Sequence, residues 1–512
     1  MAGLALSGCG PFIGKKAKRP NILFAFADDQ SWPHASACGD SVVHTPAFDR
    51  IAAEGVRFTN SFANCPSCTP SRSSVLTGRN IWQVEQGGVL YGTLPAKYPI
   101  YTHLLADASY HVGSTGKGWA PGNWSTGGHT RYPTGEQYNS KLMRDPVPEG
   151  IDQRDYAANF DDFLADRPAD TPFCFWFGCR EPHRVYERGI GLRSGKRLDD
   201  VTVPSYWPDT ETVRSDILDY YYEIEWFDRH LERMLASIEQ MGELENTLVV
   251  VTSDNGMPFP RAKVNLYDPG VHMPLAIRWG DRIGAGRVVE DFVSHIDFAP
   301  TFLEAAGLRP PDSMAGRSLA PLLEARGSGR LDERRDRVHA ALERHTWCRP
   351  NGATYPIRSI RTHDYLYLRN FEPDRWPTGG PTFVSSNKTF HGDVDACPTK
   401  TFMVAAENRE KYPRQYELCF GKRPAEELYS VAADPDQVNN LAQDAGHAAA
   451  KQKLRTELEA HLRATGDPRI AGRDPWQDYI YYQTIGFGAS FNRSLSEQER
   501  AEARKRGSHK PE

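Results

Sequence analysis

"NILFAFADDQ", residues 21–30, opens with seven consecutive residues of largely apolar character and closes on two adjacent carboxylates, Asp28 and Asp29. A run of that length without polar alternation reads as a strand buried on both faces. "TLVVVTSDNG" (247–256) has the same form and ends in Asp254 and Asn255, and "PFCFWFG" (172–178) leads into "CREPHR". Helical stretches lie between these runs. "TPAFDRIAAEG" (45–55) has Thr45 as a capping hydroxyl, Pro46 at the first position and Gly55 as a stop. "THLLADASYHVGSTGKGW" (102–119) reads as helix, short strand and a glycine-flanked Lys117, and residues 213–242 form a long amphipathic helix. This alternation predicts an α/β fold with a large mixed, mostly parallel sheet sandwiched by helices. Ligands of such sheets collect at the carboxyl ends of the strands, where the polar clusters just named all lie.

Later in the chain the pattern changes. "YPIRSIRTHDYLYLRNF" (355–371) alternates in strand fashion, "ELYSVAADPDQVNNLA" carries turn chemistry, and residues 447–464 read as a terminal helix. The expected organisation is residues 1–18 as a signal remnant and linker, 19–340 as the catalytic domain, and 341–512 as a smaller C-terminal α+β subdomain with a short antiparallel sheet.

The chain has 512 residues, 39% of them hydrophobic, enough for one large core with a smaller unit attached. Its net charge of −5 is spread over 61 basic and 66 acidic residues, with no basic block of the kind that tracks a phosphate backbone. No nucleic-acid partner is expected. Leu6-Ser7-Gly8-Cys9 resembles the lipobox of bacterial lipoproteins, although only eight residues precede the cysteine. The expectation is export to the periplasm or outer membrane of a bacterium, with anchoring through lipidated Cys9.

"NCPSCTPSR" (64–72) places Cys65 and Cys68 in a C-x-x-C spacing, with a helix expected to begin near Pro70. No second such pair completes a four-thiolate zinc site. Redox chemistry at a helix start stays open on local grounds. Asp28, Asp29, Asp254 and Asn255 form an all-oxygen set suited to a hard cation such as calcium. The competing reading is that each pair caps the helix after its strand.

Taken together, several segments resemble the type I, formylglycine-dependent sulfatases of the alkaline phosphatase superfamily. They are "RPNILFAFADDQ", Cys68-Thr69-Pro70-Ser71-Arg72 with "SSVLTGR", "TGKGW", "EPHR" and "TSDNGMPFPRAKVNLYDPG". The branch most similar is that of the heparan N-sulfatases (sulfamidases), through "SDNG-x-PFP", "NLY-x-PG" and "ELY…DP…NLA". The resemblance implies an alkaline phosphatase-like fold and a sulfuric ester hydrolase acting on a sulfated carbohydrate. It implies that a formylglycine-generating maturation enzyme oxidises Cys68 to the aldehyde whose hydrate attacks sulfur. It assigns Asp28, Asp29, Asp254, Asn255 and the modified residue 68 to calcium, Arg72 to steadying the nucleophile, Lys117 and Lys263 to sulfate oxygens, and His183 to the leaving group. These roles agree with the chemistry, since charge grows on the sulfuryl and leaving oxygens during transfer.

One departure stands out: much of the family has a histidine two residues after the lysine, where this chain has Trp119. Indole only donates, so either another group takes the role, with His44, His111, His272 or a metal ligand as candidates, or elimination needs no dedicated base. Trp119 could stack on a sugar, and with Trp32, Arg180 and Arg184 line a pocket for an acidic one; simple packing of Trp119 is the alternative. The alternatives to a general carbohydrate sulfatase are a sulfamidase proper, a phosphodiesterase or phosphonate hydrolase of the same superfamily, and a non-catalytic sugar-binding lipoprotein.

Overall fold

A computed structural model describes residues 18–385 and 389–482. Cys9 and the lipobox around it lie outside the described residues. Nine strands form the larger sheet: β1 (Asn21–Ala27), β2 (Val56–Phe62), β3 (His111–Gly116), β4 (Glu136–Gln137), β5 (Phe173–Gly178), β6 (Thr247–Ser253), β7 (His272–Arg278), β8 (Arg287–Val289) and β9 (Val293–Ser294). Their order is β4-β3-β5-β1-β6-β7-β2-β8, with β9 beside β2. All neighbours run parallel except β7, which is antiparallel to both β6 and β2.

The reason β1 lacks polar alternation is now visible, because both of its faces are covered. Ile22, Phe24 and Phe26 join a core with Val75, Leu76, Phe298 and Phe302 from the helices Cys68–Thr77 and Phe298–Ala305. Leu23, Ala25 and Ala27 point the other way, into a core with Phe48, Phe160, Phe163, Phe227 and Leu231. Those residues come from the helices Pro46–Ala53, Tyr156–Asp166 and Glu211–Gln240. Strand β6 repeats the pattern, with Leu248 and Val250 on one side and Val249 and Val251 on the other. Each large side chain sealed this way contributes about 1.5–3 kcal/mol relative to exposure.

The second sheet is antiparallel throughout, in the order β10 (Arg337–Leu342), β11 (Ile357–Thr362), β12 (Tyr365–Asn370) and β13 (Glu426–Ser430). The helix Ala448–Ala464 packs on it through Leu454, Leu458 and Leu462. Phe62, Cys65, Ile81 and Val264 belong to the same apolar cluster as the second sheet, so the two sheets share a packed junction.

Register places the polar strand ends together. Gly116 of β3 pairs with Gly178 of β5, Phe26 of β1 with the same Gly178, and Ala27 with Ser253 of β6. The four adjacent strands β3-β5-β1-β6 therefore stop at one level. Lys117, the 179–184 loop, Asp28-Asp29 and Asp254-Asn255 leave the sheet side by side.

Candidate active site

Asp28 and Asp29 are fully buried, as are Asp254 and Asn255. Asp29 has a left-handed backbone (φ 76°), a conformation that costs a non-glycine residue of order 1–3 kcal/mol. The turn is held because the Asp29 N–H donates to Asp254 Oδ1 at 3.1 Å. Oxygens of Asp28, Asp29 and Asp254 lie within 4.8 Å of one another. Asn255 Nδ2 donates to Asp29 Oδ1 at 2.7 Å, while Asn255 Oδ1 is buried without a partner. Three buried carboxylates beside an asparagine amide whose oxygen has no partner are a donor set for a hard cation, so the residues fit calcium. The competing idea, that each pair caps a following helix, does not account for that convergence.

Cys68 is the first residue of the Cys68–Thr77 helix, with extended Ser67 (φ −155°, ψ 136°) before it. Every residue of that helix is buried. A polar sequence is tolerated there because its hydroxyls bond locally: Ser73 Oγ donates to Thr69 O, Ser74 Oγ to Ser71 O, and Thr77 Oγ1 to Ser73 O. The Cys68 thiol lies 3.4 Å from Asp28 Oδ1. Burial and the facing Asp28 carboxylate push the thiol well above its usual value, so the encoded side chain is a neutral thiol and not a thiolate nucleophile. Cys65 is also a free thiol and sits in the inter-sheet cluster. Burial raises the Cys65 thiol as well, so neither has the lowered pKa of a reactive redox cysteine.

Cations ring the carboxylates. Arg72, fully buried, donates through Nε to Asp254 Oδ2 at 2.8 Å and through Nη1 to Lys117 O (2.6 Å) and Gly118 O (2.9 Å). Its Nη2 lies 3.6 Å from Asp28 Oδ1 and has no hydrogen-bond partner. Lys117 Nζ donates to Asp28 Oδ2 at 2.5 Å, and Lys263 Nζ to Asp29 Oδ2 at 2.6 Å. Lys117 reaches this place through a close approach of chains: Gly116 has φ +74°, and a Cβ there would meet Gly178 O at 2.1 Å. Burial raises Asp28, but Lys117, His183 and Arg72 more than offset it and hold its carboxyl well below the usual range. Asp29 and Asp254 are pushed up to about 7, by burial first and by neighbouring carboxylates next. A divalent ion among them would relieve that strain on their ionisation.

His183 completes the open side, with its side chain 28% exposed. Its Nδ1–H donates to Arg184 O at 2.8 Å, leaving Nε2 3.9 Å from Asp29 Oδ2. Burial and the Lys263 charge push its pKa down to about 4.

Four expectations are corrected. Pro70 is the third residue of its helix, not the first: the Ser71 N–H already bonds Ser67 O, and proline fits anywhere in a first turn whose N–H groups lack intrahelical partners. Trp119 is no sugar platform; it is 1% exposed, packed in the core, and its indole donates to Ser73 Oγ at 2.8 Å. Arg184 is no substrate contact either. It is buried in a two-pronged ion pair with Asp216 (2.7 and 3.1 Å) and donates through Nε to Pro258 O. His44, His111 and His272 do not face the cluster. His44 is exposed, His111 stacks on Phe163 at the start of β3, and His272 is sandwiched by Trp32 and Phe62. Arg180 is exposed on the loop after β5.

Three residues escaped the sequence reading. His345, just past β10, bonds Ser67 Oγ through Nδ1 at 2.8 Å, and burial pushes its pKa down to about 4. Asp395 lies 3.3 Å from Lys263 Nζ. Tyr91 is half-buried, and burial pushes its phenol up, against the opposing charges of Lys117 and Lys263. No spacing rule connects these residues to Cys68; only contact reveals them.

Comparison with known proteins gives a consistent result. The family model "Sulfatase" matches residues 20–308, and "N-sulphoglucosamine sulphohydrolase, C-terminal" matches residues 262–376. An ulvan-active sulfatase of Formosa agariphila is 27% identical over 460 residues, covering 88% of this chain and 81% of that protein. The N-sulphoglucosamine sulphohydrolase of Homo sapiens is 28% identical over 514 residues, covering 90% and 93%. A structure solved in complex with its substrate D-glucosamine-2-N,6-O-disulfate superimposes with a TM-score of 0.63 at 21% identity, covering 88% of this chain and 99% of that one, a likeness of fold.

Proposed function

The chain belongs to the sulfatase family and is a sulfuric ester hydrolase with the alkaline phosphatase-like fold; from that premise we propose that it removes sulfate from a sulfated carbohydrate. One observation carries the reading. Asp28, Asp29 and Asp254 converge in a buried cluster, Cys68 meets it from a helix N-terminus, and Arg72, Lys117 and Lys263 surround it.

Asp28, Asp29, Asp254 and Asn255 would hold calcium, which when bound supplies positive charge against the oxygens of the sulfuryl group. Formylglycine made from Cys68 by a maturation enzyme would supply the hydrated aldehyde that serves as nucleophile. The remaining work falls to this chain's side chains. Lys117 and Lys263 hold the non-bridging sulfate oxygens, in a buried setting where fixed cations act strongly on developing charge. Arg72 is anchored by three hydrogen bonds and keeps Nη2 directed at the cluster beside residue 68. His183, partly exposed with its Nδ1 proton committed to a carbonyl, presents Nε2 toward the cluster, and from its doubly protonated form, which the negative charge of a bound sulfate favours, gives the Nε2 proton to the departing oxygen or nitrogen.

Both curated relatives carry names of enzymes acting on sulfated sugars, one on ulvan and one on N-sulphoglucosamine. The C-terminal family match favours N-sulfated glucosamine as a second reading. Two measurements test the proposal on protein co-expressed with a formylglycine-generating enzyme. The peptide containing residue 68 is expected at the mass of the aldehyde, and sulfate is expected to be released from N-sulfoglucosamine, N-acetylglucosamine 6-sulfate or ulvan oligosaccharides. An unmodified thiol, or no release from any of the three, would defeat it. Lipid anchoring at Cys9 is proposed with it; loss of membrane association on Cys9→Ala is the check.

A further inference from the structure

Asp395 puts a carboxylate at the open mouth of a site otherwise built to attract anions. Its side chain is 25% exposed, comparable to His183 at 28% and Lys117 at 16%. Lys263 already has a partner in Asp29 at 2.6 Å, so neutralising that lysine does not account for a second carboxylate. Asp395 Oδ2 is sealed from solvent, lies 3.3 Å from Lys263 Nζ and has no hydrogen-bond partner. Asp395, Asp29 and His183 bring ligand atoms within 4.8 Å of one another, which puts the carboxylate beside the histidine assigned to the leaving group.

The loop holding Asp395 is fixed on both sides. Asp393 accepts from Thr346 N, Thr346 Oγ1 and Arg349 Nη2, each at 2.7 Å. Val394 O accepts from Lys400 Nζ at 2.7 Å, and Cys397 caps the Pro398–Val404 helix. A rigidly presented acceptor at the rim of an anion site discriminates by finding a donor; against a substrate without one, it only repels.

We propose that Asp395 is a specificity-determining residue that accepts a hydrogen bond from a ring hydroxyl beside the sulfated position of the sugar. When sulfate engages Lys263, Asp395 exchanges that lysine for the hydroxyl, so the carboxylate favours sulfated sugars over sulfate esters that lack a neighbouring donor. The inference rests on the carbohydrate sulfatase reading above.

The test compares wild type, Asp395→Ala and Asp395→Asn on two substrates. One is the sugar sulfate turned over fastest among the three already named; the other is 4-nitrophenyl sulfate, which carries no hydroxyl. A charge-assisted hydrogen bond lost at this position lowers the ratio of kcat/KM for sugar over aryl ester by about 10- to 150-fold in Asp395→Ala. Asp395→Asn, which keeps an acceptor without the charge, falls between. Equal loss on both substrates would overturn the inference while leaving the sulfatase reading intact. A matured wild type inactive on all three sugar substrates and on 4-nitrophenyl sulfate would sink the sulfatase reading and the inference with it.

Discussion

Arg184→Met is expected to unfold the protein more easily without touching substrate affinity. The Arg184 guanidinium makes two hydrogen bonds to Asp216 and one to Pro258 O, and packs over Tyr186 and Phe259 at 4.4 and 4.2 Å. Removing it leaves the Asp216 carboxylate, 1% exposed, with Thr399 N and Thr399 Oγ1 as its donors among the described residues. A buried charge stripped of its partner costs about 3–5 kcal/mol. The orphaned Pro258 carbonyl adds about 1 kcal/mol, partly offset by the methionine filling the aromatic slot. The expected loss is therefore about 3–5 kcal/mol in unfolding free energy, read as a lowered urea midpoint at unchanged slope. Arg184→Met with Asp216→Leu should recover much of it, since an apolar pair replaces a buried ion pair at little cost. A variant within about 1 kcal/mol of wild type but with a strongly raised KM would refute the structural role and return Arg184 to the substrate.

Trp119→Phe should lower stability by about 1–2 kcal/mol through the lost Ser73 hydrogen bond and the smaller ring; a raised KM at unchanged stability would contradict its place in the core. Calcium at a hundredfold excess over its dissociation constant should add about 2.7 kcal/mol to unfolding. That gain should be visible as a chelator-reversible shift in thermal midpoint and diminished in Asn255→Ala, and a midpoint indifferent to calcium would remove the ion from the site. His295 is fully buried with neither ring nitrogen partnered, and burial pushes its pKa down to about 3. A depressed histidine pKa means the stability it permits is present above the unfolded value near 6.5 and is lost as pH falls toward the folded one. At pH 5.5 His295 should account for about 1.4 kcal/mol of acid destabilisation. His295→Phe should remove that increment from the difference in unfolding free energy between pH 7.5 and 5.5, and an identical difference in both proteins would show the ring finds a proton acceptor in solution.

Local sequence determined the elements and the polar punctuation at their ends. Period, length and composition are local properties, so the seven buried residues of β1 followed by Asp28-Asp29, and the matching β6 followed by Asp254-Asn255, could be read one segment at a time. They also implied a parallel sheet with chemistry at its carboxyl edge, and the family resemblance carried by Cys68-Thr69-Pro70-Ser71-Arg72 singled out one thiol of two. The strand order β3-β5-β1-β6, which stands Lys117, His183, the carboxylates and Asn255 at one level, was decided only in three dimensions. So was the direction each loop side chain takes. Arg184 and His183 are adjacent in sequence, yet one turns inward to Asp216 and the other faces the site, because a loop fixes proximity while packing fixes orientation. Trp119 followed the same rule, turning from the expected sugar face into the core. Asp395 and His345 lie hundreds of positions from Cys68, and nothing in their own surroundings marks them. They acquire a role only because the second sheet packs against the first and carries its loops to the mouth of the site.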